Sequence, residues 1–565
     1  MNSLFLLMAA LIAFIFGYRF YSKLLASAIF KPSPDYSITA GNATGREPGT
    51  ALNPYLLLGQ HFGLVATAAT LSGAALAVYW GWIPAFLWVV VGSTLAAGIY
   101  SIGSLWLCRR HPDESLIGIV RHYFSGGFVD AVLVLVLIVL TLLSALLLTI
   151  TAGLFVDYPS AVLPVVAFLL ISIFLSVFLR HRPAKMIAPA TTIALLVLLL
   201  LLWPLGKIVI GFSGAINLDF AGKPLLTLNA PLAWIIFLSI FLYFAQRRPL
   251  EPSLGSRAWL SATLFVVMLL ILFIGVLIDH PQILAPGFNA AAKDVRALPW
   301  LLVTITGGAI AGIYMLVANH YTAPRLASES DARVVGYGVV VLEGLTAVSA
   351  IIICTAGFAS LAEWKAFYAS WSGGLNPSYI LQLYINGFNY FASFVGLSPG
   401  FSTNFAAMTL IALCGSTMEV IIGILHSVSI DASNRIGLPI KTSDRSRLVT
   451  ILVIVMIIAA TTVASDAPAV VMLYGMANQL LAAMGLLLLV LALENRNLPG
   501  QLPLGLALLL IPSVLWVIGL QLDMWWSQGY TWLILPGLGL FIIGGWILVR
   551  TGQILWKPDR FRGKT

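Results

Sequence analysis

Apolar residues along this chain fall into long blocks of about eighteen or more, separated by short polar stretches, rather than alternating with polar ones. At 1.5 Å of rise per residue, such a block makes a helix long enough to cross about 30 Å of hydrocarbon. The pattern predicts spans near 2–18, 59–80, 84–107, 130–153, 160–179, 187–206, 231–246, 258–278, 299–319, 334–357, 401–426, 448–465, 468–492, 502–521 and 529–549. Helices are expected over barrel strands because they satisfy every backbone N–H and C=O internally where no water can. The fold class is an all-α polytopic membrane protein with about fifteen transmembrane helices.

Composition agrees: 60% of the 565 residues are hydrophobic, 9% are charged and the mean hydropathy is +0.99. Charge adds orientation. Assigned to alternate loops, 25 of the 30 Lys and Arg residues fall on one side and five (Lys207, Lys223, Lys293, Arg296 and Lys365) on the other, with none inside a span. The positive-inside rule then puts the amino terminus outside and the carboxyl terminus in the cytoplasm. The net charge of +9 is thereby topology rather than a nucleic-acid footprint. Arg19 and Lys23 follow the first apolar run instead of preceding it, so this run reads as a retained helix and not a cleaved signal, although Ala26-Ser27-Ala28 could pass for a cleavage site. Cys108, Cys354 and Cys414 have neither paired nor metal-ligand spacing.

Two long interruptions organise the chain. Residues 19–58 are polar and turn-rich, as expected of a surface loop, whereas 358–400 are rich in aromatic residues, among them Trp364, Phe367, Tyr368, Trp371, Tyr384, Phe388, Tyr390 and Phe391, and read as an interfacial or re-entrant segment. The division expected is a helix and cytoplasmic loop (1–58), a central helical core (59–430), and C-terminal helices with a short tail (431–565). The chain has no GxxxxGK[ST] loop, no GxGxxG after a strand and no HExxH, so ATP-driven pumping and enzymatic chemistry are not expected.

Several segments carry a family resemblance: Tyr18-Arg19-Phe20-Tyr21, Gly59-Gln60-His61-Phe62, Gly81-Trp82-Ile83-Pro84, Arg109-Arg110 with Ser115-Leu116, Gly307-Gly308-Ala309-Ile310-Ala311-Gly312, Glu329-Ser330-Asp331-Ala332-Arg333 with Glu343, Asp431-Ala432-Ser433-Asn434-Arg435, and Gly475-Met476-Ala477-Asn478-Gln479. Together they resemble the carbon-starvation protein A family of bacterial transporters. The resemblance implies uptake of peptides or pyruvate in starvation, coupled to H+ or Na+, on a core of two inverted five-helix repeats. The chain departs from the family pattern at Gln60, at Ile99-Tyr100, at Ala245-Gln246-Arg247-Arg248, and at Tyr314, where a histidine is usual.

A tandem five-helix repeat inverts. One starting at 59–80 has its mate at 231–246, and in such folds the site lies where helices are interrupted near the midplane. Gly63, Thr67, Thr304, Thr306, Gly307 and Gly308 are substrate or ion candidates on that reasoning, with close helix packing as the competing role of any glycine. Glu343 follows Arg333 by ten positions, roughly 15 Å of rise, which sets a carboxylate near mid-bilayer, where function is the default hypothesis. Glu419, His61, Asn478 and Gln479 complete the set, the last two being equally suited to interhelical hydrogen bonding. Arg247, Glu329, Asp331 and Arg333 are gate candidates. The partners expected are a small-molecule substrate, H+ or Na+, and membrane lipid, with no nucleic acid, cofactor or metal. A membrane sensor acting through a partner protein is the alternative.

Overall fold

A computed structural model of the chain describes residues 2–33, 51–179, 182, 186–212, 216–220, 223–246, 251–371, 376–438, 440, 443–464 and 467–556. Among them, helices occupy all fifteen expected segments. Twelve are long and apolar enough to cross a membrane, and a bent pair, Pro54–Val65 with Ala68–Trp80, makes thirteen if taken as one span. The two remaining segments fall short of that length: Ala230–Ala245 has 16 residues, and the ninth segment is interrupted between Ala297–Thr304 and Ile313–Val317.

Burial orders these helices into a centre and a rim. The apolar windows of Ala467–Glu494, Pro399–Arg435 and Asp331–Ala356 are 100%, 89% and 83% buried, against 22% for Ile187–Leu205 and 28% for Asp444–Ala464. The rim helices turn large apolar side chains outward, among them Leu200, Phe174 and Leu535. Such exposure is tolerable only against hydrocarbon. The central helices enclose both interrupted segments.

The two interruptions have different local causes. Between Val65 and Ala68 the chain bends by 64°. Ala66 and Thr67 are extended there, and the Thr67 side chain caps the next half-helix by accepting from the Ala69 N–H at 3.1 Å. No glycine makes this break. Gly59, Gly63 and Gly73 instead let the helix approach Trp259, the Ala258 backbone and the Thr304 carbonyl. At 305–312 glycine is required, because Gly308 has φ +73°. The Ala230–Ala245 helix, where five-helix spacing puts the mate of the first broken helix, has no interruption.

Other departures from the sequence reading have plain causes. The first helix continues through two π-helical turns to Phe30 rather than ending at residue 18. The Gly255–Asp279 span contains Arg257, which the loop assignment had left outside a helix; buried pairing explains how it is tolerated, as described below. Residues 216–228 hold a two-stranded antiparallel hairpin, Ile216–Phe220 with Lys223–Leu228, inside a loop of the otherwise helical chain. Within 358–400 lie two short helices, Leu361–Phe367 and Pro377–Ser393, the second burying Leu381, Tyr384, Ile385 and Phe388. The Pro399–Arg435 helix passes through residue 430 without a break.

Candidate functional site

The two interrupted helices meet beside the Asp331–Ala356 helix. Thr306, Gly307, Ala311 and Tyr314 from the second break face Thr67 and Thr70 from the first, with Glu343, Thr417 and Tyr474 closing the ring. They enclose a cavity of about 10 Å³, space for one water at most. A second cavity of about 30 Å³ adjoins it through Ala69, Thr306 and Tyr474 and leads toward Pro377 and Ile380. The site is closed in this conformation.

Glu343 is fully buried. Its carboxylate accepts a hydrogen bond from the Tyr314 hydroxyl and longer ones, at 3.5 Å, from the Gly308 N–H and the Thr70 hydroxyl. One acid therefore ties both breaks together. Among the described residues the N–H groups of Thr306 and Gly307 have no acceptor. They lie beside the amino end of the Ala68–Ala77 half-helix, whose dipole adds positive potential. The cavity thus offers free donors and positive potential to an anion, next to a carboxylate able to carry a proton.

The break at 305–312 is held by side chains from two neighbouring helices, Trp82–Arg109 and Ala467–Glu494. The Ser93 hydroxyl donates to the Gly308 carbonyl (2.6 Å), Tyr100 to Gly312 (3.2 Å) and the Gln479 amide to Ile310 (2.9 Å), while Asn478 accepts from the Ile313 N–H (3.1 Å). Asn478 and Gln479 are therefore occupied in supporting the interruption and do not line either cavity. Thr304 lines the second cavity, its hydroxyl donating to the Trp300 carbonyl, while Gly63 packs on Ala258 away from both. His61 is buried, with Nδ1 2.6 Å from the Thr322 hydroxyl, so it braces the first broken helix against the second from outside the cavity.

Glu419 forms a buried ion pair with Arg257, and its backbone carbonyl accepts from the Gln246 amide at 2.9 Å. Glu329 forms a second buried pair, with Arg110. Both its oxygens meet Arg110, at 2.5 and 2.9 Å, and it also accepts from the Ser33 N–H at 2.9 Å. Asp331 instead accepts from the Ser328 N–H within its own turn, and Arg333 reaches Ser22 and the Tyr18 ring. Arg247 lies outside the described residues.

Reading single residues missed Ser93, Thr417 and Tyr474, because a lone hydroxyl in an apolar helix gives little signal by itself. Tyr100 and Tyr314 were visible as departures from the family pattern, yet their bonds across the breaks were not.

Against known proteins, the model of the carbon starvation protein CstA family matches residues 2–366. The chain belongs to that family. It is 26% identical over 358 residues to the peptide transporter CstA of Mycobacterium tuberculosis, covering 62% of this chain and 46% of that protein. The pyruvate/proton symporter BtsT of Escherichia coli is 24% identical over 384 residues, covering 65% and 50%. The chain spans about half the length of the curated relatives it matches. Among solved structures, a variant of the manganese transporter of Eremococcus coleocola aligns over 93% of this chain and all of its own at 14% identity, with a TM-score of 0.40.

Proposed function

We propose that this membrane protein is a secondary transporter that imports a small organic nutrient, a pyruvate-like carboxylate or a short peptide, across the bacterial cytoplasmic membrane, with H+ as the coupled ion bound at Glu343. The observation that carries this reading is the fully buried Glu343 carboxylate bridging Tyr314, Gly308 and Thr70 at the meeting of two interrupted helices. Half-helix ends near the midplane are where transporters bind substrate, with amino ends directed at anionic groups. A substrate carboxylate would take the free N–H groups of Thr306 and Gly307 at the amino end of Ala68–Ala77. Glu343 would stay protonated beside it, since two carboxylates so close cannot both remain ionised cheaply. Release of the substrate would then free that proton to leave, which couples the two movements.

Relatives named as a peptide transporter and a pyruvate/proton symporter support the substrate class and the ion. The 25-to-5 division of basic residues supports an outer amino terminus and a cytoplasmic carboxyl terminus.

Uptake of labelled pyruvate and of di- and tripeptides into proteoliposomes, with an imposed proton gradient, tests the proposal. We expect accumulation that collapses with a protonophore, and in Glu343→Gln a loss of gradient-driven accumulation while exchange of substrate down its own gradient persists. Accumulation by Glu343→Gln equal to the parent would remove Glu343 as proton carrier. Binding without uptake would favour a sensor.

A further inference from the structure

Outside the cavity, three metal-ligating side chains gather around one turn. His111 follows the Trp82–Arg109 helix, Glu114 closes the turn, and His122 lies on the last turn of the short Leu116–Tyr123 helix. His111 Nδ1 lies 3.0 Å from one Glu114 oxygen, and His122 Nε2 lies 2.6 Å from the other. The two imidazole rings are 5.3 Å apart, and one donor atom from each residue falls within 4.8 Å of the others. Solvent reaches all three, most of all His122.

We propose that His111, Glu114 and His122 form a site for a divalent transition-metal ion of the Zn2+ class, with water as the remaining ligand. Two imidazoles and a carboxylate are the donor set such an ion prefers, and Mg2+ or Ca2+ would instead want mainly oxygen. A tetrahedral ion about 2.0–2.1 Å from each donor needs donor separations near 3.3 Å. The present separations, from 2.6 Å to at most 4.8 Å, bracket that value. Burial raises the proton affinity of the Glu114 carboxyl, but hydrogen bonds and charge from His111 and His122 outweigh it and hold the group below its usual range.

The ion would act as a clamp. It would join the end of one long helix to the next short one, across the turn that also presents Arg110 to Glu329. That turn is tied to the second broken helix, because the Asn319 amide donates to the Glu114 carbonyl at 3.0 Å. The proposal stands independently of any transport activity. Sequence spacing hid the site: His111 and His122 are eleven positions apart with Glu114 between them, and only the turn folds the second histidine back onto the carboxylate.

The full chain, purified in detergent and stripped with a chelator, should bind Zn2+ with micromolar or tighter affinity by equilibrium dialysis, at one ion per chain. Co2+ in its place should give the visible bands of a tetrahedral nitrogen and oxygen set. His111→Ala and His122→Ala should each weaken binding about tenfold or more, and His280→Ala should leave it unchanged. In the parent chain, Zn2+ should protect His111 and His122 from diethyl pyrocarbonate, read by peptide mass spectrometry. This readout needs no variant to fold. Absence of saturable binding, undiminished affinity in both variants, or unprotected histidines would each overturn the site.

Discussion

Gly308 shows how much of the site depends on one missing Cβ. Its φ of +73° is a left-handed conformation, and an added Cβ would come within 2.6 Å of the Ala347 Cβ. Gly308→Ala should therefore destabilise the protein by about 1–3 kcal/mol, read as a lower midpoint in thermal unfolding of the detergent-solubilised chain. Gly415 provides the contrast. It lies inside the Pro399–Arg435 helix with open space around it, so Gly415→Ala should be neutral or stabilise by up to about 1 kcal/mol. Equal losses in the two variants would contradict a special requirement at the break. Sequence alone singles out Glu343 as a carboxylate deep inside an apolar run, and the structure buries it fully. It could not identify Thr70 or Tyr314 as its partners, since these arrive from helices more than 270 and 29 positions away in the chain and are juxtaposed only by packing.

At the scale of elements, apolar blocks were legible because lipid imposes length and hydropathy on every spanning helix, whatever its tertiary neighbours. Interruptions were less so. The glycine cluster at 307–312 marked one break, but the other is set by a Thr67 cap with no glycine or proline, and Gly63 proved to be a packing residue. The Arg257 to Glu419 pair was missed for a related reason: counting basic residues by loop places Arg257 at a membrane edge, whereas the helix starts about two turns earlier, at Glu251, and carries it into the protein. Both partners are more than nine-tenths buried. Removing one breaks a buried charge pair and should cost about 3–5 kcal/mol. Arg257→Met or Glu419→Leu alone should lower the unfolding midpoint sharply, while the double variant should recover most of the loss. A double variant as unstable as the sum of the singles would mean that the two side chains act independently.

For the whole molecule, a cavity of about 10 Å³ has to open before a nutrient can enter, and something must hold it shut. The bond from Arg110 to Glu329 is suited to this. It uses both carboxylate oxygens, is almost fully shielded from solvent, and joins the end of the Trp82–Arg109 helix to the turn that starts Asp331–Ala356, the helix carrying Glu343. The Ser33 N–H adds the first helix to the same carboxylate. If these bonds exist only in the closed state, Glu329→Gln removes a buried charge pair worth about 3 kcal/mol or more from that state alone. Each 1.4 kcal/mol shifts the balance tenfold, so the open population should rise by about 100-fold. A cysteine placed at Thr67, facing the cavity, reports on this directly, because Cys108, Cys354 and Cys414 are all buried. In inverted membrane vesicles, Thr67→Cys should react slowly with a membrane-impermeant maleimide, and adding Glu329→Gln should accelerate it strongly. In right-side-out vesicles the same addition should slow labelling or leave it unchanged. Acceleration from the outer side would put this pair on the opposite face and reverse the orientation inferred from the basic loops.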